Sequence, residues 1–343
     1  MELWFTAYRI HLHHTFGISR SASDWYDIVF VYLIDGGIVG RGEAAPSNRY
    51  NESTEQILSI LKQKVKLPED CSNRETIWNH ILPQLNGIKA LEAAFSMALW
   101  DWWGHTCGQP VHELLEVDTH EMPLTSFTIA IGGLDEIGQK VAEAAPYSIL
   151  KVKLGTSGMD RELIEEIRRH TDKLIRVDAN EGWQLGTAGE FCKWLADQHV
   201  EFVEQPFPAD QLDDTAALKE MSPLDIYADE NSLHSPDIPK IAQAFDGINI
   251  KLMKCGSLEE GKRMINLAKF HEMKIMLGCM VESSVGITAA AHLSGAVDAA
   301  DLDGNLLISN DPYIGIKVED GRLVLPDGNG LGTALNSDST NLT

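Results

Sequence analysis

The sequence predicts an α/β protein, a modified (β/α)7β TIM-type barrel of parallel strands with an α+β capping domain. Three observations carry this. After about residue 120, eight short apolar runs recur, each ending in a polar or charged residue and each but the last followed by a helical stretch. Landmarks at Lys153, Asp178, Glu204, Asp229, Lys251, Cys279 and Asp301 fall 22 to 28 residues apart, the length of one strand, one helix and two loops. The residues ahead of them have a different texture, with strand alternation first and helical periodicity after it.

In chain order, "ELWFTAYRIHLHH" alternates as a strand, and "YDIVFVYLIDGGIVGRGEAAP" is two apolar runs about a "DGG" turn. Residues 52–66 and 88–104 read as helices, the second with Ala90, Ala93, Ala94 and Met97 on its apolar face. The barrel strands are expected within "LTSFTIAIGG", "YSILKVKLG", "KLIRVDANEGW", "VEFVEQPF", "LDIYADEN", "GINIKLMKCG", "KIMLGCMVES" and "AADLDG". "GIKVEDGRLVLPDGNGLG" reads as a hairpin returning to the front of the chain. The expected domains are a cap over 1–118, completed by 316–343, and a barrel over 119–315.

The 343 residues include 51 acids against 28 Lys and Arg, a formal charge of −23. That balance opposes binding to nucleic-acid phosphates and to anionic membranes. A small anionic substrate remains compatible, because a local field can oppose the net charge. The five cysteines are odd in number and form no C-x-x-C pair, so a reducing, cytoplasmic setting is expected. The N-terminal stretch lacks a basic segment followed by an apolar one, and no apolar run reaches 18 residues. Neither a signal peptide nor a transmembrane helix is expected.

In a β/α barrel the chemistry sits at the C-terminal ends of the strands. Asp178, Glu204 and Asp229 end three consecutive strands. Each acid alone would pass as a solvated loop residue, but three in register point to a hard divalent ion such as Mg²⁺ held by oxygen ligands. Lys153 and Lys251 end the strands on either side of this arc. Two bases flanking one carbon suit a 1,1-proton transfer, with the metal stabilising the enediolate. Lys151 shares a strand face with Lys153, and the expectation is that like-charge repulsion from Lys151 lowers the Lys153 pKa. Three other motifs carry less. "GSLEEGKR" has Arg263 where a phosphate loop needs a hydroxyl. "HLHH" lacks a third ligand. "WDWWGH" reads as interface packing.

The set "KVK", "DAN", "EQP", "DE" and "IKLMK", with "GRGEAAP" and "PDGNGLG" at the two ends, resembles the enolase superfamily, muconate-lactonizing subgroup, over nearly the whole chain. "GCMVESSVGITAAAH" followed by "DLD" is most similar to its dipeptide epimerases. The resemblance implies Asp178, Glu204 and Asp229 as ligands of one Mg²⁺ per subunit and Lys153 and Lys251 as acid/base catalysts. It implies Lys151, Asn180 and Glu230 as supporting residues. Asp301 and Asp303 would bind the α-ammonium group of a dipeptide substrate, with Glu282 in or near the site. Residues 16–24 and 46–51 match the capping loops, where Arg20 would meet a substrate carboxylate. Homo-oligomerisation is common in the family. N-acylamino-acid racemases, o-succinylbenzoate synthases and muconate cycloisomerases share the scaffold. A non-catalytic anion-binding barrel is the alternative of another class. "ADEN" and "KCGS" depart from the family, which more often has Ser and Gly at their last positions.

Overall fold

The computed structural model describes residues 1–18, 21–63, 65–156 and 158–337. Strands β1 (Glu2–Ile18) and β2 (Ser21–Asp35) form a long antiparallel hairpin, and β3 (Ile38–Ala44) completes a three-stranded sheet. Gly36 and Gly37 turn β2 into β3 at φ +57 and +82, the positive values that a two-residue hairpin turn requires. Three helices follow: α1 (Thr54–Lys62), α2 (Arg74–Ile81) and α3 (Lys89–Cys107). Ser53 and Gln56 form a capping box at the start of α1. Helix α2 escaped the periodicity reading because it has only eight residues, although Asn73 caps it by accepting from Glu75 N and Thr76 N.

Helix α3 is buried along most of its length and lies directly on β3. Two glycines allow this approach. A Cβ on Gly42 would stand 1.8 Å from Ala94 O, and one on Gly40 2.0 Å from Ala98 O. The short α4 (Val111–Leu114) leads into the barrel.

The barrel strands and helices alternate as expected: β4 (Phe127–Ile129), α5 (Ile137–Glu143), β5 (Ile149–Lys153), α6 (Asp160–His170), β6 (Leu174–Asp178), α7 (Leu185–Asp197), β7 (Val200–Glu204), α8 (Leu212–Met221), β8 (Asp225–Ala228), α9 (Ile238–Ile241), β9 (Gly247–Ile250), α10 (Leu252–Cys255), α11 (Leu258–Phe270), β10 (Lys274–Gly278), α12 (Ser284–Ala291) and β11 (Ala299–Asp301). All eight strands are parallel, and their spatial order follows their chain order. A bridge between Thr125 and Ala300, with Ser126 N donating to Ala300 O at 3.1 Å, joins the last strand to the first. Inside, Phe202 stacks on Tyr227 at 4.1 Å and packs with Met276 and Ala299, filling the layer beneath the strand ends.

The chain then returns to the front sheet. Strand β12 (Tyr313–Ile314) pairs with β15 (Ala334–Leu335), and β13 (Lys317–Glu319) with β14 (Arg322–Val324). Tyr313 hydrogen-bonds Tyr32 between hydroxyls at 2.8 Å, and Leu331 N donates to Asp101 Oδ1. The β1–β2 hairpin reaches over the barrel, where Ile131 N donates to Gly17 O and Ser309 N to His11 O. Among the described residues, no helix is long and apolar enough to cross a membrane.

Replacing Gly42 with Val forces β3 away from α3. Urea unfolding should show a loss of about 1–3 kcal/mol or more with little change in slope.

Candidate active site

Strand geometry brings the charged residues together. On β5 every residue is buried, and period 2 aims Lys151 and Lys153 at the barrel axis together. Lys153 pairs laterally with Asp178, and Asp178 with Glu204. Asp229 follows β8 directly, and Lys251 follows β9 as the residue capping α10. One carboxylate oxygen from each of Asp178, Glu204 and Asp229 lies within 4.8 Å of the others, and all three residues are buried. Among the described residues, no other group of His, Cys, Asp or Glu meets this condition. Three converging hard oxygen donors fit a divalent cation of the Mg²⁺ type.

The lysines supply the countercharge. Lys153 Nζ donates to Asp178 Oδ2 at 2.7 Å, and Lys251 Nζ to Asp229 Oδ2 at 2.7 Å. Lys151 Nζ lies 2.6 Å from Glu204 Oε2, 2.6 Å from Asp301 Oδ2 and 3.4 Å from Asp178 Oδ2. Against burial, Asp301, Glu204 and Asp178 hold the Lys151 ammonium well above its ordinary pKa. The charge on Lys151 is therefore met by three carboxylates of its own. Against burial, Asp229 and Glu204 likewise hold Lys251 up. Lys153 and Lys151 pull Asp178 down, and Lys251 and Lys254 pull Asp229 down, in both cases against burial. Glu204 is raised by burial and by Asp178 beside it.

Asp301 and Asp303 close the far side. Both oxygens of Asp301 are engaged, one by Lys151 and one by Ser126 Oγ at 2.6 Å. Asp303 Oδ2 accepts from Thr128 N at 2.6 Å, and burial and Asp301 push its carboxyl up. A cleft of about 420 Å³ beside Asp303 lies under the β1–β2 hairpin and is lined by Phe16, Phe127, Thr128, Tyr147 and Leu306. Asn180 and Glu230 are buried next to two of the triad acids, and Asn180 N donates to Asp178 Oδ1. Glu282 is buried past β10 and accepts from Met280 N at 2.7 Å. Burial, then Glu43, pushes its carboxyl up to about 8. Arg20 lies outside the described residues.

Several site residues escaped the sequence reading. Gln205, at φ +38, accepts from Asp229 N and donates to Asn231 Oδ1. Asn249 Nδ2 donates to Glu204 Oε1 at 2.7 Å. Lys254 grips Asp229 from behind. Arg49 makes a two-point ion pair with Glu181, holding the turn that carries Tyr50 against the barrel. Tyr50 is pushed up by burial and then by Asp229. Each lay inside or beside a quoted motif or a matched loop, but linear spacing carries no sign of which side chains turn inward.

The two family departures also find reasons. Asn231 bridges Gln205 and Ala209 O, tying two strand-end loops together. Ser257 caps α11 by accepting from Glu260 N. The "GSLEEGKR" stretch is thus a turn and the start of a capped helix. In "HLHH", His14 pairs with Glu143. In "WDWWGH", Asp101 accepts from Arg41 N and Leu331 N.

Comparison with known proteins matches residues 2–116 to the mandelate racemase / muconate lactonizing enzyme N-terminal domain and residues 134–339 to the enolase C-terminal domain-like family. The chain belongs to the enolase superfamily. An L-Ala-D/L-Glu epimerase from Bacteroides thetaiotaomicron is 39% identical over 336 residues, spanning 97% of this chain and 87% of that protein. An L-Ala-D/L-amino acid epimerase from Flavobacterium johnsoniae is 36% identical, spanning 98% of this chain and all of the relative. A dipeptide epimerase from Cytophaga hutchinsonii, solved with Mg and D-Ala-L-Val, is 26% identical and superposes with a TM-score of 0.90 over 98% of this chain and 96% of its own. The protein is an enzyme, an isomerase of the racemase and epimerase kind.

Cap and barrel meet at a second buried carboxyl. Glu43, from the "GRGEAAP" strand, accepts from Ser283 N at 2.8 Å, from Ser283 Oγ and from Gly286 N, capping α12 of the barrel. Burial pushes Glu43 up to about 7. A carboxyl raised in the folded state binds its proton more tightly there than in the unfolded chain. Its stabilising contribution is therefore full below the ordinary Glu value and is lost as pH rises through about 7. Glu43→Gln should remove this part of the pH dependence, so that urea midpoints of variant and wild type diverge progressively between about pH 5 and pH 7.

Proposed function

We propose that the protein is a Mg²⁺-dependent dipeptide epimerase, inverting the α-carbon of the C-terminal residue by 1,1-proton transfer. The observation that carries this reading is the placement of Lys153 and Lys251 on opposite sides of one buried acidic triad. Asp178, Glu204 and Asp229 would hold Mg²⁺. When bound, the ion supplies Lewis-acid stabilisation of the negative charge developing on the substrate carboxylate. With those carboxylates engaged as ligands, Lys153 and Lys251 would share part of their countercharge with the ion. One lysine then removes the α-proton, and the other returns a proton to the opposite face. The names of the relatives, and the dipeptides bound in solved neighbours, support a dipeptide as substrate. Asp301 and Asp303 would receive its α-ammonium group, Asp303 being hydrogen-bonded to Thr128, which lines the cleft under the hairpin. Five unpaired cysteines agree with a reducing, cytoplasmic setting.

The deciding experiment is proton NMR in D₂O with Mg²⁺ and a dipeptide pool spanning acidic, apolar and cationic second residues. Loss of an α-proton signal with growth of the epimer is the expected result. Silence from folded, metal-bound protein would reject dipeptides and turn attention to N-acyl amino acids.

Lys153→Ala or Lys251→Ala should each lower epimerisation by roughly 10²–10⁴-fold. Each variant should still exchange the α-proton of one epimer only, and equal exchange of both epimers would refute the two-face mechanism. Asp303→Asn should raise KM for dipeptides by roughly 10-fold or more with a smaller change in kcat. Steady-state kinetics with an unchanged KM would remove Asp303 from the ammonium site.

A further inference from the structure

We infer that Lys254 is a positioning residue of the metal centre, fixing the orientation in which Asp229 is presented. Helix α10 is a single turn between Lys251, which caps it, and Gly256, which ends it at φ +86. This turn carries Lys254 back beneath the strand ends, where its side chain is completely buried. Three oxygens surround Nζ: Asp229 Oδ1 at 2.5 Å, Asp229 O at 2.7 Å and Asn249 O at 2.9 Å. An ammonium has three donors, so all three are engaged and none remains for substrate. Lys251 differs, holding a single carboxylate oxygen, Asp229 Oδ2.

The two lysines therefore divide one carboxylate. Lys254 binds both the side chain and the main chain of Asp229, so the carboxylate cannot turn without breaking one of those bonds. Through Asn249 the same ammonium reaches a second triad member, because Asn249 O accepts from Lys254 while Asn249 Nδ2 holds Glu204 Oε1. Lys254 thus joins the ends of β8 and β9 and stands behind two of the three carboxylates. Groups that orient ligands in this way typically govern metal affinity by 10–100-fold.

The sign of the effect separates positioning from simple charge. Lys254 is a cation near a cation site, so by Coulomb's law alone its removal would tighten Mg²⁺ binding. Loss of orientation weakens it. The inference rests on the proposed metal centre, but its first readout is metal binding and not turnover. The test is calorimetric titration of full-length wild type, Lys254→Met and Lys254→Arg with Mg²⁺, together with the rise in Tm on adding the ion. The expected result is a Kd weakened about 10–100-fold in Lys254→Met and a smaller Tm rise. In Lys254→Arg, where a planar fork replaces the three splayed donors, we expect Kd to weaken at least about fivefold, toward the lower end of that range. For Lys254→Met, a Kd equal to or tighter than that of the wild type, with only a lowered unfolding midpoint, overturns the inference. Should Lys254→Met fail to fold, a Lys254→Arg Kd within about twofold of the wild type overturns it equally. Wild type that binds no Mg²⁺ removes metal centre and inference together. Wild type that binds Mg²⁺ yet epimerises no dipeptide leaves the inference standing on the affinity ratio, while the substrate reading falls.

Discussion

The architecture depends on keeping a dense set of charges out of water at the mouth of the barrel. Asp178, Glu204, Asp229 and Asp301 meet Lys151, Lys153, Lys251 and Lys254 in contacts of 2.5 to 3.4 Å, with almost no solvent access. Isolated burial of any one of these ions would cost several kcal/mol. Matching four carboxylates with four ammonium groups makes their burial tolerable. The barrel supplies the geometry, because neighbouring parallel strands bring residues distant in sequence into lateral register.

The match also distributes roles. Lys151 and Lys254 are each surrounded by three oxygens and serve the scaffold of the site. Lys153 and Lys251 hold fewer partners and stand at the two ends of the acidic arc, where proton transfer would need them. A buried network of this kind is rigid when fully satisfied, and the polar residues around it serve that end. Gln205 and Asn231 tie one strand-end loop to its neighbour, and Asn249 ties β9 to Glu204 at the end of β7.

The cap completes what the barrel leaves open. Its hairpin crosses the first and last strands, Glu43 caps α12, and Arg49 clasps Glu181. By the resemblance, loops of the cap would add to substrate choice, while the residues proposed for the chemistry and for the ammonium group belong to the barrel. This division agrees with a family whose members bear names for different dipeptides at similar overall structure.

By itself the sequence determined the class of fold, the order of the eight strands and the residues at their ends. Period-2 burial and a regular spacing between strand ends are local properties, readable along a chain. It also carried the acidic triad and the flanking lysines, because barrel topology converts position at a strand end into position at the mouth. Only the tertiary structure decided which ion faces which. Lys151 turned out to be enclosed by Asp178 from the adjacent strand, Glu204 from the strand beyond it and Asp301 from the last strand of the barrel, partners that its adjacency to Lys153 does not announce. Lys254 and Glu43 were equally hidden. One acts through the turn of a four-residue helix, the other across the contact of two domains, and the partners of a buried charge are set by packing in three dimensions, where sequence distance has no meaning.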